Sequence, residues 1–360
     1  MFFKRKLTLK KESKKASKLV KQLISFKLVR IILIALLFIL LFPFVIFFIH
    51  RPKPADNIRY GVNYSDKYAR DLGLDWKYVY IQILDDLKAK NIRIVAYWDD
   101  IEKDKDKYDY SNIIWQIEEA QKRDVDIILT LGRKVPRYPE CFEPDWWKEL
   151  DSKNTKEMEL LEYVRNTVEE LKKYEAVKIW QVENEPFFPF GVCEKTDKDV
   201  LENEIKIVRQ YDPTRPILVQ DSGEGGFWYP TYALGDYLGI SMYRKIWYDF
   251  WGLFMGNFIY FQYPLAHWTY KIKADLVGIP MEYIIVTELQ AEPWGPVINS
   301  LLPQKDKDMT MSRNDFIDTL NYAQKAGFDR MYFWGVEWWY WEKEMNNNSF
   351  FWNTSKAIFQ

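Results

Sequence analysis

Nineteen consecutive residues near the start of the chain, Ile31 to Ile49 (IILIALLFILLFPFVIFFI), carry no charged or strongly polar side chain. A helix of that length rises about 28 Å, close to the ~30 Å hydrocarbon core of a bilayer. A helix lying on a soluble domain would keep one polar face, and this segment has none. Pro43 falls inside it, and membrane helices tolerate proline. The pattern predicts a transmembrane helix over 31–49, then a short Pro-containing linker over 50–57.

After the linker the pattern changes. Short apolar runs alternate with longer stretches of helical period. Strands are expected at 58–63, 91–97, 125–131, 177–183, 216–221, 237–242, 282–287 and 330–335. Helical patterns are clearest at 75–89, 111–123, 155–173, 197–210, 258–276 and 312–326. Regular β-then-α alternation argues for a parallel sheet covered by helices. Eight strands in roughly 300 residues fit a closed (β/α)8 barrel. An open doubly wound sheet usually shows a Gly-rich turn after its first strand, where this chain reads GVNYSDKY. The expected fold class is α/β: a (β/α)8 TIM barrel over 58–360, preceded by a single transmembrane helix.

Charge sharpens the picture at the N-terminus. Residues 1–30 hold eleven Lys and Arg against one acid, Glu12, while the whole chain has a formal net charge of −1. Only Arg51 and Lys53 follow the apolar segment closely. Such asymmetry keeps a basic tail in the cytoplasm and sends the remainder outward. No small-x-small cleavage site follows, so the span is expected to be retained. The tail reads as a topology signal with lipid affinity rather than a nucleic-acid site. The expected location is the cell membrane, single-pass, with the large domain extracellular.

Two histidines, His50 and His267, are too few for most zinc enzymes and argue against a Ser-His-Asp hydrolase. No metal or organic cofactor is expected, and oligomeric state is not legible. The two cysteines, Cys141 and Cys193, fall in the loops after the third and fourth strands, where an oxidising exterior permits a disulfide.

In an eight-fold barrel the chemistry sits at the C-terminal ends of the strands. The fourth strand runs into WQVENEPFFPFG, which places Asn184, Glu185 and Pro186 at the rim. The seventh runs into VTELQAEPWG, which places Glu288 almost opposite. Two carboxylates facing across a cleft suit glycosidic cleavage, in which one protonates the leaving oxygen and the other attacks or activates water.

These residues resemble the cellulase and β-galactosidase clan of retaining (β/α)8 glycoside hydrolases over about residues 58–355. The resemblance implies Glu185 as acid/base, Asn184 on the sugar, Glu288 as nucleophile and carboxylates about 5–5.5 Å apart. Arg93 to Trp98 (RIVAYW) is similar to the clan's Arg-x-x-x-x-Trp spacing, with Arg93 supporting the nucleophile, and DDIEKDKDKYDYSNI resembles a stretch that follows it there. Tyr243 matches a tyrosine that hydrogen-bonds the nucleophile, and Trp334 an aromatic floor under the sugar. Trp98, Trp228 and Trp294 are further candidates for lining subsites. The chain departs from the clan at Ser241-Met242-Tyr243 and Gly132-Arg133-Lys134, where many of its cellulases carry histidine; Arg133 is a substrate contact or a loop residue.

Rival carboxylates remain. Glu292 competes for the nucleophile role and Glu183 for the acid, while Glu224 reads as a substrate contact or loop residue and Glu337 as a supporting one. The function expected is hydrolysis of β-glycosidic bonds in an extracellular poly- or oligosaccharide. Transglycosylation by the same pair, or a non-catalytic carbohydrate-binding barrel, are the alternatives.

Overall fold

The computed structural model describes residues 25–42, 45, 52–193, 196–248 and 259–360. Residues 1–24 of the basic tail, most of 43–49 in the expected span, and residues 50–51 of the linker lie outside the described residues. The chain divides into two compact units, Met1–Arg51 and Pro52–Gln360. In the first, Ser25–Phe42 is a helix of mean hydropathy 2.6 with no buried position. It begins before Ile31 and takes in Lys27 and Arg30.

The second unit is a closed parallel barrel. Its strands are β1 (Arg59–Asn63), β2 (Asn91–Val95), β3 (Asp126–Leu131), β4 (Val177–Val182), β5 (Ile217–Asp221), β6 (Tyr237–Met242), β9 (Ile284–Gln290) and β10 (Arg330–Trp334). Around the barrel they follow chain order, and β10 closes on β1. Helices such as Ser111–Gln121, Lys153–Leu171, Lys198–Tyr211 and Arg313–Ala326 connect them.

One expected element is different. The helical pattern over 258–276 begins instead as a strand. β7 (Lys245–Tyr248) and β8 (Ile259–Gln262) pair antiparallel, and the helix runs only from Thr269 to Val277. Pro264 explains the late start, because its ring bars a helix from running through it.

Strand alternation builds the barrel interior in layers. Ile128, Ile179, Leu218, Ile285 and Tyr332 form an apolar plug. Two residues further along β4 and β5, Gln181 and Gln220 meet Arg93 from β2 and Asn63 from β1. The apolar layer thus gives way to a polar one toward the C-terminal mouth, which forms the floor of a site.

β9 carries a bulge. Ile240 and Ser241 of β6 pair with Val286 and Glu288, leaving one extra residue on β9, and the β10 side shows the same shift. Asn63 donates its side-chain amide to the carbonyls of Thr287 (2.8 Å) and Phe333 (3.0 Å), so carbonyls around the irregularity keep partners. Bulges re-aim side chains beside active sites, and this one sets Glu288.

Candidate active site

Glu288 is held from several directions. Arg93 donates to Oε1 at 3.1 Å and Gln220 to the same oxygen at 2.7 Å. The Tyr243 hydroxyl donates to Oε2 at 3.1 Å. Arg93 is itself fully buried, and Gln181, Asn63, Asn184 and Gln220 accept its remaining hydrogens. A guanidinium so satisfied is fixed in place, with its charge 3.1 Å from Glu288 Oε1. Arg93 meets the Glu288 carboxylate and is buried away from the surface, so it supports that residue rather than touching sugar directly.

Glu185 sits in a different setting. It follows β4 with φ 44°, and Glu183 two residues earlier has φ 60°. Non-glycine residues persist in that region only where surroundings over-determine them. Here Lys134 Nζ donates to the carbonyls of Glu185 (2.9 Å) and Phe188 (2.7 Å), while the Asn184 amide donates to the Lys134 carbonyl at 2.6 Å. The Ser241 hydroxyl donates to Glu185 Oε1 at 2.8 Å. Burial first, and then the Glu288 charge, push the Glu185 carboxyl up to about 8. Ser241 pairs in register with Glu288 across β6 and β9, so the backbone that carries this hydroxyl lies one strand spacing, about 4.8 Å, from the Glu288 backbone. Burial beside Glu288 thus keeps the Glu185 carboxyl protonated near neutral pH, as a proton donor requires.

The rival carboxylates are otherwise engaged. Glu183 accepts from the backbone amides of Arg133 and Lys134 (2.8 and 2.9 Å) and from Thr196 (3.2 Å). Gly132 (φ 120°) brings the chain so close to this carboxylate that a Cβ there would lie 2.8 Å from its Oε1. Glu183 therefore anchors the loop after β3. Glu292 and Glu337 both bind Arg137. Glu224 accepts from the Tyr243 amide (2.9 Å) and the Tyr270 hydroxyl (2.6 Å), which positions the residue that touches Glu288. The Arg133 guanidinium lies 3.5 Å from Glu143.

The aromatic expectations divide. Trp98 is fully buried, stacked on Tyr163 with ring centroids 5.0 Å apart, and donates to Glu102 at 2.7 Å. It belongs to the core between helix and loop and lines no subsite. Trp228 is likewise fully buried. Trp294 packs edge-on against Tyr243 at 4.8 Å, next to the residue that touches Glu288. Trp334 ends β10 with the Arg137 guanidinium 4.2 Å over its ring, and Tyr68 receives the same guanidinium at 3.9 Å. Cys141 and Cys193 form a disulfide with Cα atoms 5.3 Å apart, joining the loops after β3 and β4.

The structure adds Glu140, which the sequence reading passed over. It is 5% exposed, accepts from Asn184 Nδ2 at 3.2 Å through Oε1, and has Lys134 Nζ 3.4 Å from Oε2. Burial lifts its carboxyl well above the ordinary range; Lys134 pulls it down, and Glu185 and Glu288 push it up. Gln181, Gln220 and Asn63 were also missed, although their polar character at inward positions of apolar strands was a signal in the sequence.

The closed barrel with buried carboxyl groups at its C-terminal mouth is the architecture of (β/α)8 barrel enzymes, among which glycoside hydrolases use such pairs. The family model for cellulase (glycosyl hydrolase family 5) matches residues 66–280, more than half of the chain, and the chain belongs to that family. A comparison with curated protein sequences finds no match. Among solved structures, the exo-beta-1,4-mannosidase of an Opitutaceae bacterium is similar at TM-score 0.51 and 14% identity, over 79% of this chain and 54% of that one. The GH5_18 protein of Bifidobacterium longum is similar at TM-score 0.54 and 14% identity, over 78% of this chain and 70% of that one. The GH5_18 protein of Streptomyces cattleya, solved with GlcNAc, gives 0.51, 14%, 78% and 70%. This chain thus spans about half the length of the mannosidase, and at such identities the likeness is one of fold.

Proposed function

We propose that the chain is a retaining hydrolase of β-linked glycans, with Glu185 as acid/base and Glu288 as nucleophile, anchored by its N-terminal helix to the outer face of a membrane. The observation that carries the reading is the contrast between the two carboxyl groups. Arg93, Gln220 and Tyr243 hold Glu288, whereas burial beside Glu288 raises Glu185 to about 8.

The steps follow from that contrast. Glu288 Oε2, with the Tyr243 hydroxyl as its hydrogen-bond partner, attacks the anomeric carbon while Oε1 stays on Arg93 and Gln220. As the C–O bond breaks, Glu185 passes its proton to the leaving oxygen and becomes a carboxylate. The sugar is then an ester of Glu288, whose charge is gone. Since that charge helped raise the Glu185 pKa, its loss lets Glu185 stay ionised. Glu185 next takes a proton from water, the water oxygen bonds the anomeric carbon, and Glu288 leaves as carboxylate.

The test is a panel of β-linked polysaccharides and aryl β-glycosides, run with the native chain, Glu185→Gln and Glu288→Gln. Removing a general acid or a nucleophile is expected to lower kcat by about 10²–10⁴ or more. Cleavage that survives in Glu288→Gln would refute the assignment. A folded native chain that binds glycans but cuts none would favour a non-catalytic barrel.

A further inference from the structure

Glu140 has a carboxyl oxygen without a hydrogen bond in a place where a buried oxygen needs one. Its Oε2 is buried, and no group hydrogen-bonds it among the described residues. Lys134 Nζ stands 3.4 Å away as an ion-pair partner, with two of its three hydrogens given to the Glu185 and Phe188 carbonyls. Leaving a buried carboxyl oxygen without a hydrogen bond is costly, so such an atom beside the Glu185 and Glu288 carboxyl groups points to a ligand that completes it.

Its neighbours say which ligand atom. Asn184 spends Oδ1 on Arg93 (2.8 Å) and one side of its amide on Glu140 Oε1 (3.2 Å). Arg93 also holds Glu288, so Asn184 and Glu140 lie beside the nucleophile on its β4 side. When Glu288 bonds the anomeric carbon, the substituent on the adjacent ring carbon, C2, must lie beside that oxygen. A hydroxyl there is both acceptor and donor. Asn184 has an amide hydrogen to give it, and Glu140 has an oxygen to receive its proton.

We propose that Glu140 determines specificity: it accepts a hydrogen bond from the C2 hydroxyl of the sugar at the cleavage point, paired with an Asn184 amide donated to the same oxygen. This rests on the hydrolase reading above. The chain therefore prefers glycosides with a free C2 hydroxyl. A carboxyl group accepts whether or not it is protonated, and so does an amide carbonyl, so glutamine replaces it conservatively. The loop closes through backbone bonds, Glu140 N to the Arg137 carbonyl (2.7 Å) and Val135 N to the Glu140 carbonyl (2.9 Å), which side-chain changes leave in place.

The experiment uses the full chain in detergent with three probes: the 4-nitrophenyl β-D-glucoside, the β-D-mannoside, and the 2-deoxy-β-D-arabino-hexoside, which is the 2-deoxy form of both. Glu140→Leu is expected to lower kcat/KM about 10–100-fold on the accepted 2-hydroxy glycoside and to leave the 2-deoxy compound within about twofold. Glu140→Gln is expected to stay within about fivefold on both. An equal loss on both kinds of probe, or no loss on either, overturns the proposal. A native chain inert on all three counts against the hydrolase reading instead. The comparison then moves to binding of methyl β-glucoside, methyl β-mannoside and their 2-deoxy form by calorimetry. There, Glu140→Leu must weaken only the 2-hydroxy ligands.

Discussion

Ser241 stands between the two proposed catalytic carboxyl groups. Its hydroxyl donates to Glu185, and its backbone pairs with Glu288. The hydrogen bond favours the carboxylate form, so it holds the Glu185 pKa lower than burial and the Glu288 charge alone would set it. An acid catalyst must be protonated. Activity is therefore expected in full below the Glu185 pKa and lost as pH rises through about 8. In Ser241→Ala the alkaline limb of kcat/KM should move to higher pH, with a change of less than about tenfold at pH 6. A limb that stays in place or moves downward would show that the serine does not act on Glu185. The carboxylates at the rim were legible in the sequence because they end apolar strands in order. Glu140 was not, because R-Y-P-E-C is an aperiodic loop and only folding sets it against Asn184. Trp98 misled for a related reason. The chain turns into the short helix Trp98–Ile101 directly after β2, and that turn sends the ring back onto Tyr163.

At the scale of elements, the eight barrel strands were readable because each is a short apolar run and most are separated by helical patterns. The β7–β8 hairpin was not, since FIYFQYPLAHW is apolar enough to satisfy either period and its pairing partner is supplied from residue 245 onward. The β9 bulge was also invisible, because one extra residue changes register without changing composition. Two loops shape the mouth, and the disulfide joins them: Cys141 directly follows Glu140, and Cys193 follows the Glu185 loop. The bond closes a sequence separation of 52 residues, for which the chain-entropy argument gives about 4 kcal/mol, with 2–4 typical. Cys141→Ser with Cys193→Ser is expected to lower Tm by roughly 5–10 °C. Reduction of the native chain should reproduce the shift. An unchanged Tm would mean that the loops are held by their other contacts, above all Glu183 on the Arg133 and Lys134 amides.

At the scale of the whole molecule, the chain carries an apolar helix as a unit separate from its barrel. Ser25–Phe42 has no buried position, and an apolar surface of that kind is unstable in water. From Ile31 to Ile49 only Ala35 and Pro43 are not large apolar residues. At a few tenths of a kcal/mol for each Leu, Ile, Phe or Val, insertion is favourable by on the order of 5 kcal/mol. Eleven basic residues before the span, against Arg51 and Lys53 just after it, favour a cytoplasmic N-terminus. If the helix is a retained anchor, the full chain should stay in the membrane through high salt and alkaline carbonate, which strip proteins bound by charge alone. Protease added to intact cells should remove the barrel and leave the basic tail protected. A chain beginning at Pro52 should be soluble and keep kcat on an aryl glycoside within about twofold, because the barrel is compact without the first unit. Release of the full chain by carbonate, or protection of the barrel in intact cells, would defeat the anchor or its orientation. The catalytic assignment would stand, because it rests on Glu185 and Glu288 and on nothing before Pro52.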